Sequence, residues 1–277
     1  MVGLGNVLST YSYYFLYCMQ KKIDFDFNAQ ISAIKWKIKA KETKNLIEKD
    51  KMLCHLQLFI SCDESLKIHD SINEPDDANT CGLFFHLRSY GILENIQHIR
   101  PFIQKAMNSF DSRKFEFHDD DVVIHVRTGD IFSNKHEAFY SSIHFSNYVE
   151  LLKHKTIHNI YIVWKSDRKQ DRAYDTYNKA LICHLRKYLN LNLNVNVIID
   201  RQKCDDFVFM TQAPLLIACI STYSLWAALI NPNYSIIPQC TNHFNNRLYT
   251  GDHFQIVPFC TLNKYKKDIN EFLDQFT

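Results

Sequence analysis

His125, Arg127 and Asp130 place an imidazole, a guanidinium and a carboxylate at the end of the run Asp121-Val122-Val123-Ile124-His125-Val126-Arg127-Thr128-Gly129-Asp130. A guanidinium is a planar, permanently charged fork that suits a diphosphate. Val122 to Val126 is almost unbroken in β-branched residues, the pattern of a strand buried in a parallel sheet. Open α/β sheets bind ligands outside the carboxyl ends of their strands, where Arg127 and Asp130 would emerge. His125 falls within the strand register, which suits it to orienting the loop rather than to acting as a base. An Arg after a strand also serves as an ordinary surface ion pair, so the rest of the chain must decide between the two uses.

Two further segments bear on that choice. Gly3-Leu4-Gly5-Asn6 precedes an apolar stretch from Val7 to Met19 and reads as a glycine turn feeding a helix. Such a turn lets backbone approach a ligand closely, and the helix start carries free N–H groups and partial positive charge; an ordinary tight turn is the plainer account. A secretory signal does not fit, because Lys21 and Lys22 follow the apolar run instead of preceding it. Asp205 to Asn231 reads as a helix, a short strand, a hydroxyl-rich turn and a second helix. Ser221, Thr222 and Ser224 fall at the junction, where hydroxyls cap a helix and can also donate to phosphate oxygens.

In this order and spacing the three segments resemble the fucosyltransferase superfamily of GT-B-like glycosyltransferases. The pattern is nearest to the α-1,2-fucosyltransferases, with kinship to the α-1,6 and protein O-fucosyltransferases. Gly3 to Asn6 match the family's Gly-Leu-Gly-Asn turn, and His125, Arg127, Gly129 and Asp130 match its His-x-Arg-Arg-Gly-Asp motif. Asp206-Phe207 and Ser221 to Trp226 match its acidic-Phe helix and its Ser-Thr-aromatic-Ser-Trp turn. Thr128 stands where the family carries a second Arg, and Val7 where a Gln often follows the first turn. One positive charge is therefore missing near the diphosphate, which leaves the donor open.

The resemblance implies an α/β, GT-B-like fold of two Rossmann-like halves with parallel sheets and the donor site between them. The expected halves are 1–115 on the acceptor side and 116–277 on the nucleotide-sugar side. It implies transfer of L-fucose from GDP-fucose to a glycan hydroxyl, with inversion at the anomeric carbon, no cofactor and no metal. A donor such as UDP-xylose, or a relic that binds glycan or nucleotide without turnover, are the alternatives. The implied catalytic residues are Arg127, Asp130 and His125; the implied donor contacts are Gly3, Gly5, Asn6, Arg127, Asp206 (or its neighbour Asp205), Ser221, Thr222 and Ser224. Asp130, His136, Glu137 and His144 are candidates for the general base, although Asp130 has the alternative duty of bracing Arg127. Asp24-Phe25-Asp26 has metal-motif spacing, but alternating Asp in a short strand more often marks its wet face.

Composition narrows the class. With 277 residues and 46% hydrophobic content the chain can bury one large core or two modest ones. A net charge of +2 gives no electrostatic case for nucleic acid or membrane binding. Nine cysteines lie scattered without CxxC pairs, which favours reduced thiols and a cytoplasmic setting. No run approaches the ~20 apolar residues of a membrane span. With Gly3 to Asn6 at its start the chain leaves no room for an N-terminal anchor, so a soluble enzyme, or the catalytic part of a longer one, is expected.

The elements that must position these residues follow from periodicity. Ile23 to Phe27 reads as a strand, and Ile31 to Asp50 as a helix with a solvated basic face at Lys35, Lys37, Lys39, Lys41 and Lys44. Asp63 to Thr80 reads as a loop, and Phe84 to Arg88 repeats the His-x-Arg spacing without Gly-Asp. Gln97 to Phe110 reads as a helix with Pro101 near its start, and Asp111 to Lys114 as a crossing between halves. Strands at Val122 to Val126, Ile160 to Trp164, Val195 to Ile199 and Leu216 to Ile220 alternate with helices, as in parallel βαβ units. Leu181 to Leu189 and Ile269 to Phe276 read as core-packing helices.

Overall fold

The computed structural model describes residues 3–33, 37–68, 91–111, 113–127, 143–164, 171–189, 194–199, 203–239, 252–258 and 273–274. Along the first part of the chain run α1 (Leu4–Gln20), β1 (Phe25–Asp26), α2 (Phe27–Ala33), α3 (Lys37–Lys49), β2 (Phe59–Ile60) and α4 (Ile96–Phe110). There follow β3 (Val122–Val126), α5 (Phe145–Leu152), β4 (Asn159–Trp164), α6 (Asp171–Leu189), β5 (Asn194–Ile199) and α7 (Lys203–Thr211). The last elements are β6 (Leu215–Ile217), α8 (Thr222–Ile230), β7 (Tyr234–Gln239) and β8 (Phe254–Pro258). The chain divides into two compact units: Met1–Lys114 with Ser221–Ile230, and Phe115–Ile220 with Asn231–Thr277.

In the first unit α1 is the central element. It is apolar nearly all round, the signature of a buried helix, and Val7, Leu8, Tyr11, Phe15 and Leu16 have no exposed surface. Of its buried hydroxyls, Ser9 Oγ donates to Gly5 O at 3.0 Å and Tyr11 OH to Gln57 O at 2.8 Å, whereas Ser12 Oγ has no hydrogen-bond partner among the described residues. Its C-terminus closes as a Schellman motif, with Ile23 N–H on Cys18 O and Lys22 N–H on Met19 O. Lys22 therefore sits at φ 56°, where an L side chain is strained. The helix α8 packs against α1 and α4. Trp226 Nε1 donates to Ser9 Oγ at 2.7 Å, and Arg100 and Gln104 donate to the terminal carbonyls of Leu229 and Ile230, both at 3.0 Å. These carbonyls would otherwise lack partners at the helix end.

The second unit is built on a six-stranded sheet in the order β5-β4-β3-β6-β7-β8, in which every pairing is parallel. Counted within the unit, the spatial order is third, second, first, fourth, fifth, sixth, which is the doubly wound Rossmann order. Val122, Ile124, Ile160, Ile162 and Trp164 share one face with Tyr148 of α5 and Leu181 of α6. Tyr161, on the opposite parity of β4, packs edge-on against Phe117 and Phe209. Both faces of the central strands are thus covered, which explains why they read as continuous apolar runs. The N-terminal edge is pinned by the buried Asp121, which accepts from His118 N–H at 2.9 Å and Asn159 Nδ2 at 2.8 Å.

Several expectations change. Among the described residues the first unit contains helices and one two-residue antiparallel pair, β1 with β2, and no parallel sheet, so a Rossmann-like N-terminal half is not what these residues form. The strand expected over Ile23 to Phe27 shrinks to Phe25–Asp26, because Asp26 Oδ1 accepts from Ala29 N–H at 3.1 Å and starts α2. The expected C-terminal half 116–277 is not continuous, because the apolar, fully buried stretch from Leu225 to Ile230 packs inside the first unit. Strand β6 ends at Ile217 rather than Ile220, and β7 and β8 were not anticipated. Phe84 to Arg88 and most of Ile269 to Phe276 lie outside the described residues. No described helix is long and apolar enough to cross a membrane.

Candidate active site

In the second unit the order of the strands reverses between β3 and β6, and ligands of doubly wound sheets bind outside the carboxyl ends at such a point. The main-chain ladder between these strands stops at Ile124 and Ile217. Ala218 N–H donates to Ile236 O of β7 at 2.9 Å, the next rung of the β6–β7 ladder, while the pairing of β6 with β3 goes no further. Two side-chain links replace the ladder there. His125 Nδ1 lies 3.0 Å from Cys219 Sγ, and Arg127 Nη1 donates to Ile220 O at 3.4 Å.

The electrostatics of this edge are uneven. Burial, reinforced by the charge of Arg127, pushes the His125 imidazole down from 6.5 to about 3. His125 is therefore neutral at physiological pH. Arg127 is half-buried, and its guanidinium stands at the carboxyl end of the first strand of the sheet. Cys219 drew no attention in the sequence; only its place two residues before Ser221 could have flagged it.

The expected donor contacts of the first unit lie at the starts of α1 and α8. Gly3 is the exposed N-cap of α1, and a Cβ built there meets nothing within 4 Å. Gly5 is buried in the first turn, and a Cβ there would fall 2.5 Å from Thr222 O and 2.6 Å from Tyr223 N. The close approach at this glycine is to the first turn of α8. Two helix N-termini, each with free N–H groups and partial positive charge, are thereby brought together. Asn6 is half-buried beside them. Ser221 Oγ accepts from Tyr223 N–H at 3.3 Å and caps α8, while Ser224 is fully buried and donates to Ser221 O at 3.4 Å. Thr222, half-buried in the first turn, is the hydroxyl of this trio with the most exposure.

The remaining candidates separate. Asp206 is buried in the first turn of α7, where a carboxylate complements the helix dipole, and Asp205 beside it is half-buried. His144 caps α5, its Nδ1 accepting from Ser146 N–H at 3.2 Å, and burial lowers its proton affinity. Asp130, His136 and Glu137 lie outside the described residues. The two carboxylates of Asp24-Phe25-Asp26 are used locally: Asp24 accepts from Cys62 N–H at 2.8 Å, and Asp26 caps α2. Among the described residues no group of three or more His, Cys, Asp or Glu side chains is gathered to hold a metal ion. No protein-family model, curated protein or solved structure matches the chain.

Proposed function

We propose that this protein is an inverting glycosyltransferase that needs no metal and transfers a sugar, foremost L-fucose from GDP-fucose, to a hydroxyl of a glycan acceptor. The observation that carries the reading is Arg127 at the carboxyl end of the first strand of a doubly wound sheet, at the point where its strand order reverses. The family resemblance of the Gly3, Arg127 and Ser221 segments supports the choice of donor, and a GT-B-like use of the two units is part of the same proposal.

In the reaction the acceptor hydroxyl oxygen bonds to the anomeric carbon as the bond from that carbon to the β-phosphate oxygen breaks. The electron pair leaves with GDP, and the Arg127 guanidinium meets the charge that develops on the phosphate. The hydroxyl proton passes to a side chain of the sequence that follows Arg127, with Asp130, His136, Glu137 and His144 as candidates.

Calorimetric titration with GDP and, separately, UDP, first without metal and then with magnesium, tests the reading. GDP is expected to bind selectively without metal, and Arg127→Ala to weaken it about tenfold or more with the fold retained, the loss of a charge-assisted contact. Selective UDP binding would move the donor, and unchanged affinity in Arg127→Ala would remove this residue from the mechanism.

A further inference from the structure

The ends of β3 and β6 are linked to each other by side chains where their shared ladder has stopped. Their shared ladder ends at Ile124 and Ile217, while each strand keeps its outer neighbour further: β3 stays paired with β4 to Val126 and Trp164, and Ala218 N–H bonds Ile236 O of β7. Beyond that point the distance between these two strand ends, and with it the place of Arg127, depends on the side chains that span them. The first of these links is the 3.0 Å contact between Cys219 Sγ and His125 Nδ1. Both residues are buried, at 4% and 8% exposure, so the contact is shielded from competing water. With the imidazole neutral in its Nε2–H tautomer, the thiol is the donor and Nδ1 the acceptor. Arg127 follows His125 by two residues on the same strand, and Ile220, whose carbonyl it contacts, follows Cys219 directly. The thiol–imidazole bond and the guanidinium–carbonyl bond therefore form successive rungs across one opening.

We propose that Cys219 is a positioning residue of the nucleotide-diphosphate site, fixing through His125 the separation of the two strand ends and hence the place from which Arg127 reaches the phosphate. The inference rests on the donor-site reading given above. Cys219 does not touch the donor in this scheme; it acts through His125 and the backbone of β3.

Two substitutions separate a hydrogen-bonding role from mere packing. Cys219→Ser keeps a donor for Nδ1 in nearly the same volume, whereas Cys219→Val fills the space and removes the donor. Titration of the full-length wild type and both variants with GDP, alongside thermal melts, gives the readout. GDP affinity is expected to stay within about twofold of wild type in Cys219→Ser and to fall about tenfold in Cys219→Val, one displaced charge-assisted contact being worth roughly that factor. If Cys219→Val is folded and binds GDP like the wild type, or if Cys219→Ser is the weaker of the two, the positioning role is wrong while the donor site stands. If the folded wild type itself fails to bind GDP, the donor-site reading falls and this inference falls with it. Hydrogen exchange over β3 and β6 serves as the second measurement: faster exchange at their carboxyl ends is expected in Cys219→Val and not in Cys219→Ser, and equal protection in all three proteins would overturn the proposal.

Discussion

One absent methyl group sets how closely α1 and α8 approach. A Cβ at Gly5 would meet the backbone of Thr222 and Tyr223, which cannot swing away as the tip of a flexible side chain can. The same addition at Gly3 meets nothing, and the φ of −87° there is open to any residue. Gly5→Ala is therefore expected to destabilise the protein by about 1–3 kcal/mol, the usual cost of overpacking. Gly3→Ala should change stability by no more than about 0.5 kcal/mol. Denaturant unfolding of the two variants beside the wild type checks this, and an equal effect at both positions would count against the close packing.

At the level of elements, the end of α1 offers the clearest single gain. The Schellman closure needs a left-handed residue, and Lys22 supplies it at φ 56°, a conformation that costs an L residue about 1–2 kcal/mol and glycine almost nothing. Lys22→Gly should raise stability by about 1 kcal/mol, less the extra freedom glycine has in the unfolded chain, and a lowered melting temperature would contradict the motif. This closure was not legible beforehand, since the residue at the turn is a lysine and not the glycine or asparagine that marks such ends. The strands β3 and β4 were legible, because burial on both faces writes itself as a nearly continuous apolar run, and β5 was legible from Val195, Val197, Ile198 and Ile199 in its sequence. The strands β7 and β8 were not, because Pro238 interrupts one and Gln255 alternates with apolar neighbours in the other. Pro238 is tolerated because its nitrogen points to the β6 side, as Ile236 O does, and β6 has already ended at Ile217. The candidate site was half legible: the sequence marked Arg127 and the Ser221 turn. It did not reveal Cys219 as the partner of His125 or Thr222 as the neighbour of Gly5, since both pairings are brought about by tertiary packing between distant segments.

Across the whole molecule, acid should act on one unit before the other. Burial lowers the proton affinity of His125, His144 and His184, with Arg127 adding to the effect at His125 and with His144 and Lys187 adding to it at His184. All three belong to the second unit. A histidine that takes up its proton more readily when unfolded makes stability rise with pH, so its contribution is complete above 6.5 and is lost as the pH falls from there toward the folded value, about 3 for His125. For this group alone the slope is up to about 1.4 kcal/mol per pH unit. Asp111, lowered chiefly by its bond to Arg113, begins to lose its contribution only as the pH nears 3.8, so the first part of the decline belongs to the histidines. Hydrogen exchange measured on either side of pH 6.5 and corrected for intrinsic rates should show protection falling in β3, β4 and β6 while α1 and α8 keep theirs. His125→Asn, which cannot titrate, should flatten that dependence even if it starts from lower stability. Equal loss in both units, or an unchanged slope in His125→Asn, would mean that the imidazole between β3 and β6 does not govern the acid response, and the buried scaffold assigned to it would have to be redrawn.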